Sequence, residues 1–298
     1  MEFLQKTIKN TDRTGEFVNI SLPGFPQKGA PKPEETKIHF LAMGEGEPLL
    51  LVHAPGQSLY TWRNIMPALA QRYCVIAFDL IGAGFSGRPD SMNYSMDEVA
   101  DSILAFCDAL GLQKTHMIGF SLGAVYALYA AAKQPERFAK VIAIAPGGVT
   151  AQMPKKMRKM ERSPFGALVR ESYSQKHVAR ALASCYYDAT LCDKTVAEQY
   201  FETLDDFRSR QALHYSLRNF DLPLAQKAFL ETPREVLLLW GDADRWRPME
   251  NMEETQAFLP QSIPYIIRNG GHLMHEEKAD AIVEVISKYL TYQVESPC

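Results

Sequence analysis

The chain has 298 residues, 46% of them hydrophobic, and a formal net charge of −3. That length and apolar content suit one large domain, or one domain carrying an insertion. So small a net charge gives no global field toward nucleic acid or an anionic membrane, and no run of about 18 apolar residues offers a membrane span. The start of the chain, Met1 to Lys6, lacks the apolar stretch and small-residue cleavage site of a secretory signal. Five cysteines, Cys74, Cys107, Cys185, Cys192 and Cys298, are odd in number and scattered, as reduced thiols in a cytoplasm would be. His177 with Cys185 and Cys192 matches no zinc spacing. The expectation is a cytoplasmic protein, monomer or homodimer, with no metal and no nucleic-acid or membrane partner.

In chain order, Phe17 to Ser21 and Thr36 to Met43 read as two strands around a Pro/Gly-rich loop, Pro23 to Pro33. Pro48 to Ala54, Cys74 to Leu80, His116 to Phe120, Lys140 to Ala145 and Glu235 to Trp240 are apolar runs. Such runs suit strands buried on both faces of a mostly parallel sheet. Helical patterns lie between them at Tyr60 to Arg72, Met96 to Leu110 and Leu122 to Gln134. Ser95 is an N-cap for the second, and Gly111 ends it. The alternation predicts an open α/β sheet flanked by helices. It breaks after Gly147, where an aromatic-rich helical stretch runs to Pro233. The predicted organisation is a core of residues 1–147 and 233–298 with a helical cap at 148–232.

The chemistry-bearing motif is Gly119-Phe120-Ser121-Leu122-Gly123. It stands between the strand His116 to Phe120 and a helix. A serine in that turn has its hydroxyl pushed out above the sheet, and the glycines let strand and helix nearly touch. A serine hydroxyl needs a neutral imidazole to take its proton and a carboxylate to orient that imidazole. Downstream, Asp242 and Asp244 follow the strand Val236 to Trp240, at the strand end where open α/β sheets place their chemistry. Asp244 is preferred, and Asp242 reads as a turn residue. The base is His272, after a strand-like Ile263 to Ile267 and the pair Gly270-Gly271. Its rival, His275, heads a terminal helix over His275 to Leu290 and packs locally or faces solvent. His53 ends a central strand and shapes its loop through hydrogen bonds. His116 lies at the opposite end of the sheet.

With these motifs, and with Asp79-Leu80-Ile81-Gly82-Ala83-Gly84-Phe85-Ser86 followed by Arg88-Pro89, the chain resembles the α/β-hydrolase superfamily. The resemblance implies a capped serine hydrolase, carboxylesterase-like, with a triad of Ser121, Asp244 and His272 and no cofactor. It also implies an oxyanion hole in which the Leu122 amide is one donor. The other normally comes from a His-Gly-x loop after the third strand. Here the loop reads His53-Ala54-Pro55-Gly56-Gln57, and Pro55 has no N–H at the donor position. A shifted register would pass the role to Gly56, or to the amide or side chain of Gln57.

A serine nucleophile argues against dehalogenase and epoxide-hydrolase chemistry, which uses a carboxylate. It leaves a small to medium, largely apolar ester as the expected substrate. Lactones, thioesters and the carbon–carbon bond of a vinylogous diketone are the alternatives. A cofactor-free perhydrolase or haloperoxidase, and a non-catalytic ligand-binding protein, are the readings from other classes. Tyr60 and Trp62, just past the oxyanion loop, are expected to reach the substrate. So are Met153 and Met157, on a Met-striped helix opening the cap.

Overall fold

The computed structural model describes residues 15–22, 34–147, 174–232 and 235–291. Its centre is a single sheet of eight strands: β1 (Glu16–Leu22), β2 (Glu34–Met43), β3 (Glu47–Val52), β4 (Tyr73–Phe78), β5 (Thr115–Phe120), β6 (Phe138–Ile144), β7 (Val236–Gly241) and β8 (Ser262–Ile267). Their spatial order is β1-β2-β4-β3-β5-β6-β7-β8. β2 is antiparallel to β1 and β4, and every other pairing is parallel. The parallel strands are the continuous apolar runs of the sequence because both of their faces are covered. On β3, Leu50 and Val52 pack with Val99, Ile103 and Val125 on one face. Leu49 and Leu51 pack with Trp62, Ile286 and Leu290 on the other.

The helices, in chain order, are α1 (Met66–Leu69), α2 (Met96–Ala109), α3 (Leu122–Lys133), α4 (Gln175–Ala183), α5 (Lys194–Asp205), α6 (Phe207–Arg218), α7 (Leu222–Glu231), α8 (Met249–Phe258), α9 (Met274–Glu277) and α10 (Ala279–Thr291). α2 starts at a capping box in which Ser95 and Glu98 satisfy each other's backbone amides. Gly111, at φ +68°, follows its end. The helix expected over Tyr60 to Arg72 is instead a 3-10 turn, Leu59–Trp62, and the four-residue α1. Pro67 accounts for the break, because a residue without an amide hydrogen starts a helix better than it continues one. The terminal helix expected from His275 is likewise two, α9 and α10, interrupted at Lys278. No helix among the described residues is long and apolar enough to cross a membrane.

Between β6 and β7 the described residues, 174–232, contain helices α4 to α7, a 3-10 turn and no strand. Each helix carries its own start signal: Ser174, Asp193, Asp206 and Asp221 accept from the amide three residues on. Residues 148–173, with Met153 and Met157, lie outside the described residues.

A buried polar cluster ties this helical segment to the sheet domain. Arg63 pairs with Glu276 at 2.7 Å, and both side chains are nearly inaccessible. Thr61 Oγ1 and the Tyr186 hydroxyl donate to the same carboxylate, at 2.8 and 2.5 Å. Tyr200 OH donates to it as well. Burial pushes the Glu276 carboxyl up, but Arg63 and these donors outweigh burial and hold it below the usual carboxylate range. His275 packs beside them with no exposure, its Nε2 2.7 Å from Thr61 Oγ1. Of the two placements expected for it, solvent is excluded.

Two outcomes follow from this packing. A Cβ on Gly123 would lie 2.3 Å from the His53 carbonyl oxygen and 2.6 Å from that of Val52, both backbone atoms of the central sheet. Gly123→Ala should therefore lower the unfolding free energy by about 1–3 kcal/mol, read from urea denaturation, and an unchanged midpoint would contradict it. His275 is held down to about 3 by burial. An unfolded chain protonates that imidazole below about pH 6.5, so its contribution to stability is complete above that pH and is lost as pH falls toward the folded value. Between pH 7 and 5 the wild type should lose up to about 1.4 kcal/mol per pH unit from this group, with buried His53 acting in the same direction. His275→Gln should flatten the dependence, and an equally steep variant would show that the residue carries no such linkage.

Candidate active site

Ser121 occupies the junction of β5 and α3 at φ +52° and ψ −122°. A non-glycine residue holds such a backbone only under constraint. The constraint is visible. Ser121 N–H donates to Ile144 O on β6 at 2.9 Å, and Ser121 O accepts from Gly147 N–H at 3.1 Å. On the strand side of the turn, a Cβ on Gly119 would come within 2.4 Å of Ala124 Cα, so strand and helix touch where glycine leaves no side chain.

The acid comes from the turn after β7. Asp244 Oδ1 accepts from the amides of Trp246 and Arg247, both at 2.8 Å. Its Oδ2 faces His272 Nδ1 at 2.7 Å. Asp242, the other candidate, is exposed. The loop carrying His272 is aimed by glycines, as expected. Gly241 must be bare because a Cβ there would meet Gly270 O at 2.2 Å, and Ala243 N–H donates to that same oxygen at 3.1 Å. Gly271 is pressed by the helical segment: its Cβ would lie 2.5 Å from both Cys185 O and Tyr187 N. Leu273 N–H donates to Cys185 O at 3.1 Å.

His272 Nε2 then lies 3.1 Å from Ser121 Oγ. Its ring sits 4.9 Å from that of Phe120 and runs nearly parallel to Trp246 at 6.2 Å. With Asp244 accepting from Nδ1–H, Nε2 carries the lone pair that faces the hydroxyl. The described residues thus place Ser121, His272 and Asp244 in one hydrogen-bonded chain.

The neighbouring groups are scaffold. His53 Nε2 accepts from Leu80 N–H at 2.9 Å and Nδ1 donates to Ala54 O at 2.8 Å. Burial lowers its pKa, which keeps it neutral. Asp79 accepts from Leu59 N–H and Phe85 N–H, each at 2.8 Å, and pairs with His39. Gly84 is required beside it, since a Cβ would fall 2.1 Å from the Asp79 carboxyl. Arg88 bonds Ser86 O and Gly84 O and reaches Ser209 on α6, fastening that loop to the helical segment.

Ala54 to Gln57 form a β-turn closed by Gln57 N–H donating to Ala54 O at 3.1 Å, with Pro55 second and Gly56 third at φ +79°. That is a type II turn, which suits Pro-Gly. It removes the Gln57 backbone amide from the proposed donors, because that amide is spent in the turn; the side chain is positioned by its Oε1, which accepts from Ala54 N–H at 3.3 Å. Gly56 N–H makes no hydrogen bond among the described residues. The expectation that Trp62 reaches substrate is corrected: the ring is fully buried, 4.9 Å from that of His275. Tyr60 is nearly as buried, with Tyr200 edge-on at 5.9 Å and the Arg63 guanidinium 4.2 Å over its ring. Both rings are filled by packing in the 3-10 turn that replaces the expected helix. Among the described residues no cluster of His, Cys, Asp or Glu is placed to hold a metal ion.

Comparison with known proteins agrees with this architecture. The chain is 29% identical over 296 residues to the 2-hydroxy-6-oxo-6-phenylhexa-2,4-dienoate hydrolase of Burkholderia cepacia, covering 93% of this chain and 96% of that one. It is 24% identical over 260 residues to the 2-hydroxymuconate semialdehyde hydrolase of a Pseudomonas species, covering 83% and 88%. The solved 2-hydroxy-6-oxo-6-phenylhexa-2,4-dienoate hydrolase of a Rhodococcus species superposes with a TM-score of 0.74 at 22% identity, over 94% of this chain and 100% of that one. The family described as alpha/beta hydrolase fold matches residues 47–279, from β3 to the start of α10, and the chain belongs to it.

Proposed function

We propose that this protein is a hydrolase in which Ser121 attacks a substrate carbonyl. The observation that carries the reading is the unbroken chain from Asp244 through His272 to Ser121. His272 Nε2 takes the hydroxyl proton as Ser121 Oγ bonds to the substrate carbonyl carbon. Asp244 stabilises the imidazolium and fixes its orientation. The proton then passes to the leaving group, and water resolves the acyl-enzyme by the same path in reverse. The amides of Leu122 and Gly56 are the proposed oxyanion donors. The described helical residues, 174–232, serve as the cap, since α6 and the Cys185 to Tyr187 segment press on the Gly56 turn and on Gly271.

The relatives favour a particular bond. The 2-hydroxy-6-oxo-dienoate named for the Burkholderia enzyme contains no ester, so its hydrolysis breaks a carbon–carbon bond beside a ketone. A carbon–carbon bond of a vinylogous diketone is therefore the first reading for this chain. An ester, the bond expected from the sequence, is the second, because the same serine, imidazole and carboxylate act on any sufficiently electrophilic carbonyl.

A fluorophosphonate should label Ser121 and fail to label Ser121→Ala, detected by mass spectrometry. Turnover of a vinylogous diketone, followed by loss of its chromophore, should drop by about 10⁴-fold or more in Ser121→Ala and His272→Ala, and by about 10³–10⁴-fold in Asp244→Asn. Parallel p-nitrophenyl esters decide between the two bonds. A wild-type protein that neither reacts with the probe nor turns over either class would end the hydrolase reading.

A further inference from the structure

The acid turn holds a second charged group, and it lies beside the turn that carries the nucleophile. Arg247 follows Asp244 by three residues. Its backbone is fixed at both ends: N–H donates to Asp244 Oδ1 at 2.8 Å, and its carbonyl accepts from Trp240 Nε1 at 2.7 Å. The side chain leaves the turn toward Gly147. A Cβ built on Gly147 would lie 3.0 Å from Arg247 Nη2, 3.5 Å from Leu122 N and 3.6 Å from the carbonyl carbon of Ser121. Gly147 is held in that place by its own N–H, which donates to Ser121 O at 3.1 Å. The guanidinium, the first amide of α3 and the backbone of the nucleophile turn therefore meet around Gly147.

Arg63 has Glu276, Arg88 has Asp206, Arg137 has Asp108, and Arg210 bonds the carbonyls of Leu204 and Asp205. Among the described residues Arg247 has no ion pair, and its guanidinium makes no hydrogen bond. Asp244 is close enough to be felt, but its two oxygens are committed to the Trp246 and Arg247 amides and to His272. Burial lowers the Arg247 pKa against that attraction. A guanidinium presents five donors and accepts nothing, so withdrawing it from water without an acceptor is unfavourable. An arrangement that is costly for folding and stands beside the nucleophile turn is explained by a ligand that completes it.

We propose that Arg247 binds a carboxylate of the substrate, on the acid-turn side of Ser121 and beside the positively polarised start of α3. The substrate is then an acid whose carboxylate stands a few bonds from the carbonyl under attack, because the guanidinium lies beside the Leu122 amide that is proposed to receive the oxyanion. A planar guanidinium can take both oxygens of a carboxylate at once, which fixes the direction in which the carbonyl is presented. The inference rests on the hydrolase reading for the identity of the attacked carbonyl, but the anion site itself does not depend on turnover.

The test pairs each p-nitrophenyl monoester of succinic and glutaric acid with its neutral methyl diester. In the wild type, kcat/KM should favour the acid by about tenfold or more for at least one chain length. In Arg247→Gln that ratio should fall by about tenfold or more, mainly through KM, and Arg247→Lys should recover part of it. An acid-to-neutral ratio that stays within about twofold of wild type in Arg247→Gln overturns the proposal. A second arm removes chemistry altogether: in a Ser121→Ala background, calorimetry should find succinate bound at least about tenfold more weakly once Arg247→Gln is added. Equal binding, or none in either protein, overturns the proposal even where the esters are not turned over, so its failure is distinct from failure of the hydrolase reading. The melting temperature of Arg247→Gln should equal or exceed that of wild type, since an uncompensated charge is removed. A clear fall would show a structural role and would also overturn it.

Discussion

The contact of β5 with α3 is the constraint on which the rest of this molecule depends. Ser121 holds a left-handed φ at that junction, at a cost on the order of 1–3 kcal/mol for a residue with a side chain. The conformation persists because its amide is taken by β6, its carbonyl by Gly147, and the strand and helix meet across Gly119 and Gly123. Relaxing the turn would break all of these together. The hydroxyl is therefore presented by the fold and not by its own rotamer preference, and every other group at the site is placed relative to it. The acid turn and the histidine loop reach it because β7 and β8 lie next to β6 in the sheet order.

Burial then decides which ionisable groups can act. His53, His272 and His275 are all buried close to the same end of the sheet. His53 is committed to one donor and one acceptor of the backbone, and His275 is held neutral among Thr61, Trp62 and Phe120. Of these three, His272 alone has a carboxylate on one nitrogen and a hydroxyl on the other. The carboxylates divide the same way. Glu276 is saturated by Arg63 and hydroxyl donors and serves to lock α4 and α5 onto the core, whereas Asp244 is held by two amides and keeps one oxygen for the imidazole. A buried ion pair such as Arg63–Glu276 adds little net stability over apolar packing, but losing one partner costs about 3–5 kcal/mol. Its value here is in fixing where the helical segment sits over Gly271.

The sheet and the hydrogen-bonded triad were legible in the sequence because they rest on local signals. Apolar runs marked the strands, glycines marked the close approaches at Gly119, Gly123 and Gly271, and the order of Ser121, Asp244 and His272 limited the pairings. What was not legible depends on distant parts of the chain. The cluster on Glu276 joins residues 76 to 215 positions apart, and no spacing rule links Thr61, Tyr186 and Tyr200 to it. Tyr60 and Trp62 were misplaced because Pro67 ends the regular helix that would have carried them, so they turn inward instead of along the site. Arg247 carried a faint signal, a cation inside the acid turn, whose meaning appears only when Gly147 is brought beside it from β6.

Pro55 and Arg247 give the site two unequal sides. On one, the Pro55-Gly56 turn spends the Gln57 amide internally, and Gly56 is the proposed loop donor beside the first amide of α3. A missing oxyanion donor costs about 2.7–4 kcal/mol in the transition state, so a site with few neutral donors needs another source of transition-state energy. On the other side stands Arg247, a cation without an ion pair among the described residues. Binding energy at a remote carboxylate accelerates the reaction only to the extent that it is realised more fully as the carbonyl becomes tetrahedral. A carboxylate anchored a few bonds from the reacting carbon meets that condition, because the same contact removes the rotational freedom that would otherwise be lost on reaching the transition state. A neutral substrate of the same size forgoes that contribution, so the arrangement couples selectivity for charge to rate and not to binding alone.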